Sequence, residues 1–110
     1  MRKREHLGQL ELMVLLAVIR PKESYGVQIS REIAEKSGRE VALASVYAAL
    51  ERLEKKGLVR SALGLPSPER GGKARTYFQP TAFGVAEARD AQSTLQKLAS
   101  GLAAFKSEVT

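Results

Sequence analysis

Apolar positions along the chain fall into helical periods broken by one alternating stretch. From Gln9 to Arg20 nearly every side is apolar: Leu10, Leu12, Met13, Val14, Leu15, Leu16, Val18 and Ile19. Such a run predicts a helix buried on more than one face. Pro21 ends it, because proline cannot continue the hydrogen-bond ladder. Ser24 is the expected cap of a second helix, Tyr25 to Ser37, with Ile29 and Ile33 inward, Val27 flanking them and Gly38 as a left-handed stop. Val41 then forms a short strand or plugs the core. The stretch Ala42 to Gly57 predicts a third helix. Leu43, Val46, Leu50 and Leu53 make its apolar stripe, and Ala44, Ala48, Arg52 and Lys55, with Glu51 beside them, take the opposite face.

Beyond Gly57 the period shortens. Leu58 to Leu63 and Arg75 to Gln79 read as short strands, with Tyr77 and Phe78 on opposite sides of the second. Between them GLPSPERGGKA, Gly64 to Ala74, carries two prolines and three glycines and cannot be regular structure. The prediction is a hairpin with an enlarged tip. Thr81 caps a last helix, Ala82 to about Lys106. Along it Gly84, Ala88, Ala91, Leu95, Leu98, Leu102 and Phe105 alternate steps of four and three, the spacing of a two-helix seam. Gly101 weakens that helix near its end.

Two helices joined by a short turn, the second amphipathic and small-faced, form a helix-turn-helix pattern. A generic three-helix domain or an ordinary amphipathic helix shares much of it. Alanines at 44 and 48 let a helix backbone approach base edges in a major groove. Ser45 offers a hydroxyl near the helix start, and Arg52 has the reach for a phosphate or a guanine edge. Charge decides between these readings. The 110 residues carry 18 Lys and Arg against 12 Asp and Glu, a formal +6 that favours polyanions. Arg60, Arg70, Lys73 and Arg75 stand against Glu69 alone, so the excess concentrates in the hairpin. A glycine-rich cationic tip beside an amphipathic helix reads as a wing that meets phosphates or the minor groove. The Tyr25 hydroxyl is either a phosphate contact or the tip of a half-buried ring packed on the third helix. Arg2, Lys3 and Arg4, with Glu5 and His6 behind, are read as a solvated arm rather than one that tracks DNA.

Composition also excludes chemistry. No cysteine is present, so no disulfide or thiol site is expected, and the single His6 rules out a histidine cluster or triad within one chain. Nothing is spaced as a nucleophile with its base, and the Gly71–Gly72 pair lacks the following helix of a nucleotide loop. No enzyme activity, cofactor or metal is expected. The apolar run Leu12 to Ile19 is too short to span a bilayer, and no signal-peptide cleavage pattern follows an apolar core. A cytoplasmic setting is expected, without membrane contact.

The stretches GQLELMVLLAVI, SYGVQISREI, SVYAALERLEKKGLV and PERGGKARTYFQPT, followed by a C-terminal helix, resemble the PadR-like family of winged-helix transcriptional regulators, particularly its short members. Together they cover almost the whole chain. The resemblance implies a homodimeric DNA-binding regulator, usually a repressor, whose C-terminal helices supply much of the interface. Carried onto this sequence, the DNA contacts fall on Ser45, Tyr47, Ala48 and Arg52 of the recognition helix, Tyr25 beside it, and Arg70, Lys73 and Arg75 of the wing. Tyr47 lies on the helix flank, where a phosphate contact or a partly structural role suits it better than a base contact. Two positions depart from the family pattern: Ala42 replaces the usual Ser or Thr cap, and Pro80 replaces a branched apolar residue. Short members that sandwich planar ligands use interface tryptophans, and this chain has none.

The expected architecture is therefore mainly α with a small β-hairpin wing, a winged helix-turn-helix over 1–80 plus a C-terminal dimerisation helix over 81–110. Leu12 and Leu16 of the first helix join Ala88, Ala91, Leu95, Leu98, Leu102 and Phe105 in the expected dimer interface; folding of the last helix onto its own subunit is the alternative. Recognition helices about 34 Å apart would read an inverted-repeat operator with half-sites about ten base pairs apart. A small-molecule effector at the interface would relieve repression by changing that spacing. The rival function is a winged-helix module that binds protein or small ligands with little DNA affinity, favoured by Glu51 and Glu54, which repel phosphates.

Overall fold

Four α-helices and a two-stranded hairpin follow one another in the predicted order in a computed structural model, which describes residues 7–66, 68 and 71–105. The basic arm Arg2 to His6, Arg70 in the wing and the expected helix end at Lys106 lie outside the described residues. Helix α1 runs Gln9–Ile19, α2 Gly26–Ser37, α3 Leu43–Lys55 and α4 Ala82–Ala99; strand β1 is Val59–Leu63 and β2 Thr76–Pro80. A 3₁₀ turn, Ser100–Ala104, follows α4.

Helix α1 begins where Glu11 Oε1 accepts the Gly8 amide at 2.9 Å, the half of a capping box that needs no N-cap side chain. Its C-cap is Arg20, one residue before the proline. Helix α2 departs from expectation at its start. Tyr25, not Ser24, is its N-cap, and no side chain caps it. Ser24 is instead buried and paired with β2: its amide donates to Phe78 O at 3.0 Å, and the Phe78 amide donates to Ser24 O at 2.7 Å. The helix starts one residue too late for Ser24 to cap it, and the Ser24 hydroxyl donates instead to the Gln28 side chain at 3.0 Å. The α2 stop is as expected, with Gly38 at φ 73°. Val41 forms no strand; it packs partly buried against the core, its carbonyl accepting from Ser30 Oγ at 3.1 Å.

The strands pair antiparallel, from Val59 opposite Pro80 to Leu63 opposite Thr76. Phe78 enters the core, and Tyr77 takes the other side of the strand. Thr81 then caps α4: its hydroxyl accepts from the Gly84 amide at 2.9 Å and donates to Gly57 O at 2.7 Å.

One core sits between α1, α2, α3 and the hairpin root, built on Val14, Leu15, Val18, Ile29, Val46, Leu50, Leu53, Leu58 and Phe78. Ala49 belongs to it, whereas Leu43 of the predicted stripe is exposed. Leu43 opens α3, where the first turn has emerged from the packed layer.

Helix α4 divides into two halves. Gly84 and Ala88 are buried in their own subunit and Ala91 packs partly against its core. Ala88 and the α1 residue Leu12, both named for the expected interface, are covered within the single chain. Leu95, Leu98, Leu102 and Phe105 are between 55% and 75% exposed. The α-helix also stops at Ala99, short of the expected end. Ser100 Oγ donates to Lys97 O at 2.7 Å, Gly101 follows, and no packing holds the last turn in α geometry. The radius of gyration is 16.4 Å, above the about 13 Å of a compact chain this long, as projecting elements require.

Candidate nucleic-acid interface

Helix α3 presents Ala44, Ser45, Ala48, Arg52 and Lys55 to solvent. Its N-cap, Ala42, offers no side chain to the leading amides. An alanine-faced helix start with uncapped N–H groups suits a polyanion that brings its own acceptors.

The flank is built by Tyr47. Its ring lies on Gly26, where an added Cβ would fall 2.4 Å from Cζ and 2.5 Å from the hydroxyl. The glycine of the Tyr–Gly pair therefore makes room for a tyrosine 21 positions away, and Tyr47 is partly structural while remaining 45% exposed.

Tyr25 makes its ring contacts with residues of the wing. Tyr77 meets it edge-on with ring centroids 5.8 Å apart, and the Arg75 guanidinium stacks over its face at 3.9 Å. Cation–π stacking holds the arginine in place without neutralising it. Arg75 thus clasps the wing root to the start of α2 while carrying positive charge. Tyr77 in turn covers Gly64, where a Cβ would fall 2.5 Å from the ring. Arg60 and Lys73 are exposed on the same hairpin. Gly71 and Gly72 turn its tip with φ of 65° and 79°, so left-handed backbone, not close approach, requires them.

The acidic residues of α3 are engaged. Glu54 Oε2 accepts from the Ser61 amide at 3.2 Å and the Ser61 hydroxyl at 2.7 Å, tying β1 to α3. Glu51 pairs with Lys55 at 3.3 Å. Arg52 Nε lies 3.5 Å from Glu11 Oε2, and Lys56 Nζ lies 2.9 Å from the same oxygen. Burial raises the Glu11 pKa, but the Gly8 amide, the Lys56 ammonium and the Arg52 guanidinium outweigh it and hold the carboxyl below its ordinary value. The sequence marked Glu11 only as a charge beside an apolar run, which is itself the signal of a buried partner.

The fold thus brings Tyr25, Arg75, Tyr77 and the wing together, and sets Ser45, Ala48 and Arg52 on the exposed face of α3 with Tyr47 on its flank. Comparison with known proteins now decides the family. The family model described as "Transcriptional regulator PadR-like family" matches residues 15–90. The chain belongs to the PadR-like family of transcriptional regulators. An uncharacterised protein of Lysinibacillus sphaericus is 36% identical over 75 residues, a segment spanning 66% of this chain and 66% of that one. The PadR-like fold extends to solved structures. A PadR family transcriptional regulator from Eggerthella lenta aligns with a TM-score of 0.72 at 25% identity, over 87% of this chain and 80% of that one. Bacillus subtilis PadR, solved in complex with operator DNA, aligns with a TM-score of 0.66 at 19% identity, over 76% of this chain and 46% of that one. PadR-like proteins are regulators rather than enzymes. Among the described residues, no helix of this PadR-like chain is long and apolar enough to cross a membrane.

Proposed function

We propose that this PadR-like chain is a cytoplasmic, homodimeric repressor that binds an inverted-repeat operator. Residues 1–80 form the DNA-binding unit, and 81–110 supply the dimerisation helix. The observation that carries the reading is the pairing of an alanine-faced α3 with a cationic wing clamped to α2 by the Arg75–Tyr25 stack. Ser45, Ala48 and Arg52 face the major groove, Tyr25 and Tyr47 the flanking phosphates, and Arg70, Lys73 and Arg75 the phosphates or minor groove beside it.

The dimer reading rests on the exposed half of α4. Leu95, Leu98, Leu102 and Phe105 form an apolar stripe without cover in its own subunit. On α1, Leu16 is exposed and borders an apolar groove of about 450 Å³ with Met13, Ala17 and Ile33, rimmed by Arg20, Glu32 and Lys36. We read stripe and groove as the two sides of one interface between copies. Ala91, half covered already, stands at its edge. A small-molecule effector entering the interface relieves repression by moving the recognition helices apart or together.

The rival, an interaction module with little DNA affinity, drew on Glu54, and that carboxylate is held by Ser61 of β1 rather than standing free on the α3 face. A mobility-shift titration with the DNA upstream of the chain's own gene separates the two. Saturable binding at physiological salt that survives competitor DNA is the expected outcome, and binding that vanishes with competitor refutes the operator reading.

A further inference from the structure

The row Ala44, Ala48, Arg52 climbs one ridge of α3 in steps of four, and the C-cap Lys56 continues it. Its two cations converge on one carboxylate that comes from another helix. Glu11 lies on α1 and is 7% exposed. Its Oε1 is taken by the Gly8 amide, and its Oε2 receives Lys56 Nζ at 2.9 Å and faces Arg52 Nε at 3.5 Å. A carboxylate so buried persists only because these partners satisfy it. The three groups have unequal freedom. The Lys56 side chain is 21% exposed and held down, whereas that of Arg52 is 52% exposed. Arginine carries five donors in a rigid fork, and the edge that faces Glu11 is the Nε one, in an ion pair at 3.5 Å. The carboxylate thus attracts the inner edge of the guanidinium, with the terminal nitrogens left to make the outward contact.

We propose that Glu11 is a specificity-determining positioning residue, whose carboxylate sets the aim of Arg52 at the DNA face and withholds Lys56 from indiscriminate phosphate contacts. The proposal rests on the operator-binding reading above. It follows from what two loosened cations do near a polyanion. Freed from Glu11, Arg52 swings to whichever phosphates are nearest, and Lys56 loses the ion pair that offsets its charge. Binding to any duplex tightens, and discrimination between duplexes falls. The carboxylate thus spends positive charge to obtain a fixed geometry.

The test is fluorescence anisotropy of the full chain with its operator duplex and with a scrambled duplex, over a series of salt concentrations. Glu11→Gln is expected to lower the operator-to-scrambled affinity ratio about tenfold, the scale of one lost directional base contact. Its log–log salt slope on scrambled DNA steepens by about one unit for each phosphate newly neutralised. Arg52→Ala lowers the ratio in the wild-type background and adds little in the Glu11→Gln background, since the aim is already lost. Glu11→Asp, which keeps the charge but shortens the reach, lowers the ratio in the same direction and serves if Glu11→Gln does not fold. A folded variant with a lower melting temperature but an unchanged ratio and slope overturns the proposal, because a purely structural role moves only the first of these. A wild-type chain that fails to distinguish operator from scrambled DNA overturns the operator reading itself, and this role with it.

Discussion

Gly84→Ala probes the seat on which the whole of α4 depends. The helix starts directly over the root of the hairpin. A Cβ at residue 84 would lie 2.0 Å from the carbonyl oxygen of Leu58 and 2.9 Å from its carbon. That is about 1.3 Å short of the ~3.3 Å that carbon and oxygen tolerate. The obstructing atoms are backbone, so no side chain can rotate aside, and α4 has to lift. Lifting strains the Thr81 amide bond to Leu58 O, 3.0 Å, and the Thr81 hydroxyl bond to Gly57 O, 2.7 Å. It also uncovers Ala88, buried one turn further along the same helix. Overpacking of this kind costs about 1–3 kcal/mol, and each weakened hydrogen bond up to about 1 kcal/mol. The gain from alanine in a helix opposes this by about 1 kcal/mol. The net expectation is a loss of about 2 kcal/mol, lowering the melting temperature by about 10 °C for a domain of this size. Urea and thermal denaturation followed by circular dichroism measure it. Gly101→Ala is the control, because no atom lies within 4 Å of its added Cβ; it should leave stability unchanged or slightly raised. A Gly84→Ala midpoint equal to wild type would refute the claim that α4 is seated on Leu58. If the seat is real, the same variant also alters how the exposed half of α4 meets a second copy.

Three further outcomes are expected. Leu95→Asp with Leu98→Asp should shift the chain to monomer in sedimentation velocity while leaving its helical circular dichroism intact, because both side chains are more than half exposed in the subunit; a persistent dimer refutes the interface. Tyr25→Leu should unclamp Arg75 and weaken operator binding several-fold, whereas Tyr25→Phe keeps the stack and loses only what the hydroxyl contributes; equal losses in the two would assign the effect to the hydroxyl. The depressed Glu11 pKa contributes stability that is present above the ordinary 4.5 and is lost as pH falls through the lower folded value; acid unfolding of Glu11→Gln should therefore show a shallower pH dependence below 4.5, and an unchanged profile refutes the pairing.

Much of the architecture was legible because period and punctuation are local properties. Pro21, Gly38, Gly57 and Thr81 each mark a boundary that the structure keeps to within a residue or two. The alternation of Tyr77 and Phe78 puts the two rings on opposite sides of the strand, and the fold turns Phe78 into the core. The exposed face of α3 was legible for the same reason, since a helix with four apolar positions on one side can bury only that side.

What escaped were pairings between distant segments. Ser24 reads as a cap by residue type, but Phe78 reaches it first and takes both its backbone groups. The seam along α4 is one uninterrupted pattern in sequence. Tertiary packing splits it, seating Gly84 and Ala88 on the chain's own hairpin root and core, and leaving Leu95 to Phe105 outside. Gly26 has no visible purpose until Tyr47 covers it, and Glu11 none until two cations of another helix close on it. Periodicity determined by itself which elements form, where they stop and which faces turn inward, because each depends on neighbours a few residues away. Which surface meets which partner depended on how the helices cross, and only the folded chain decides that.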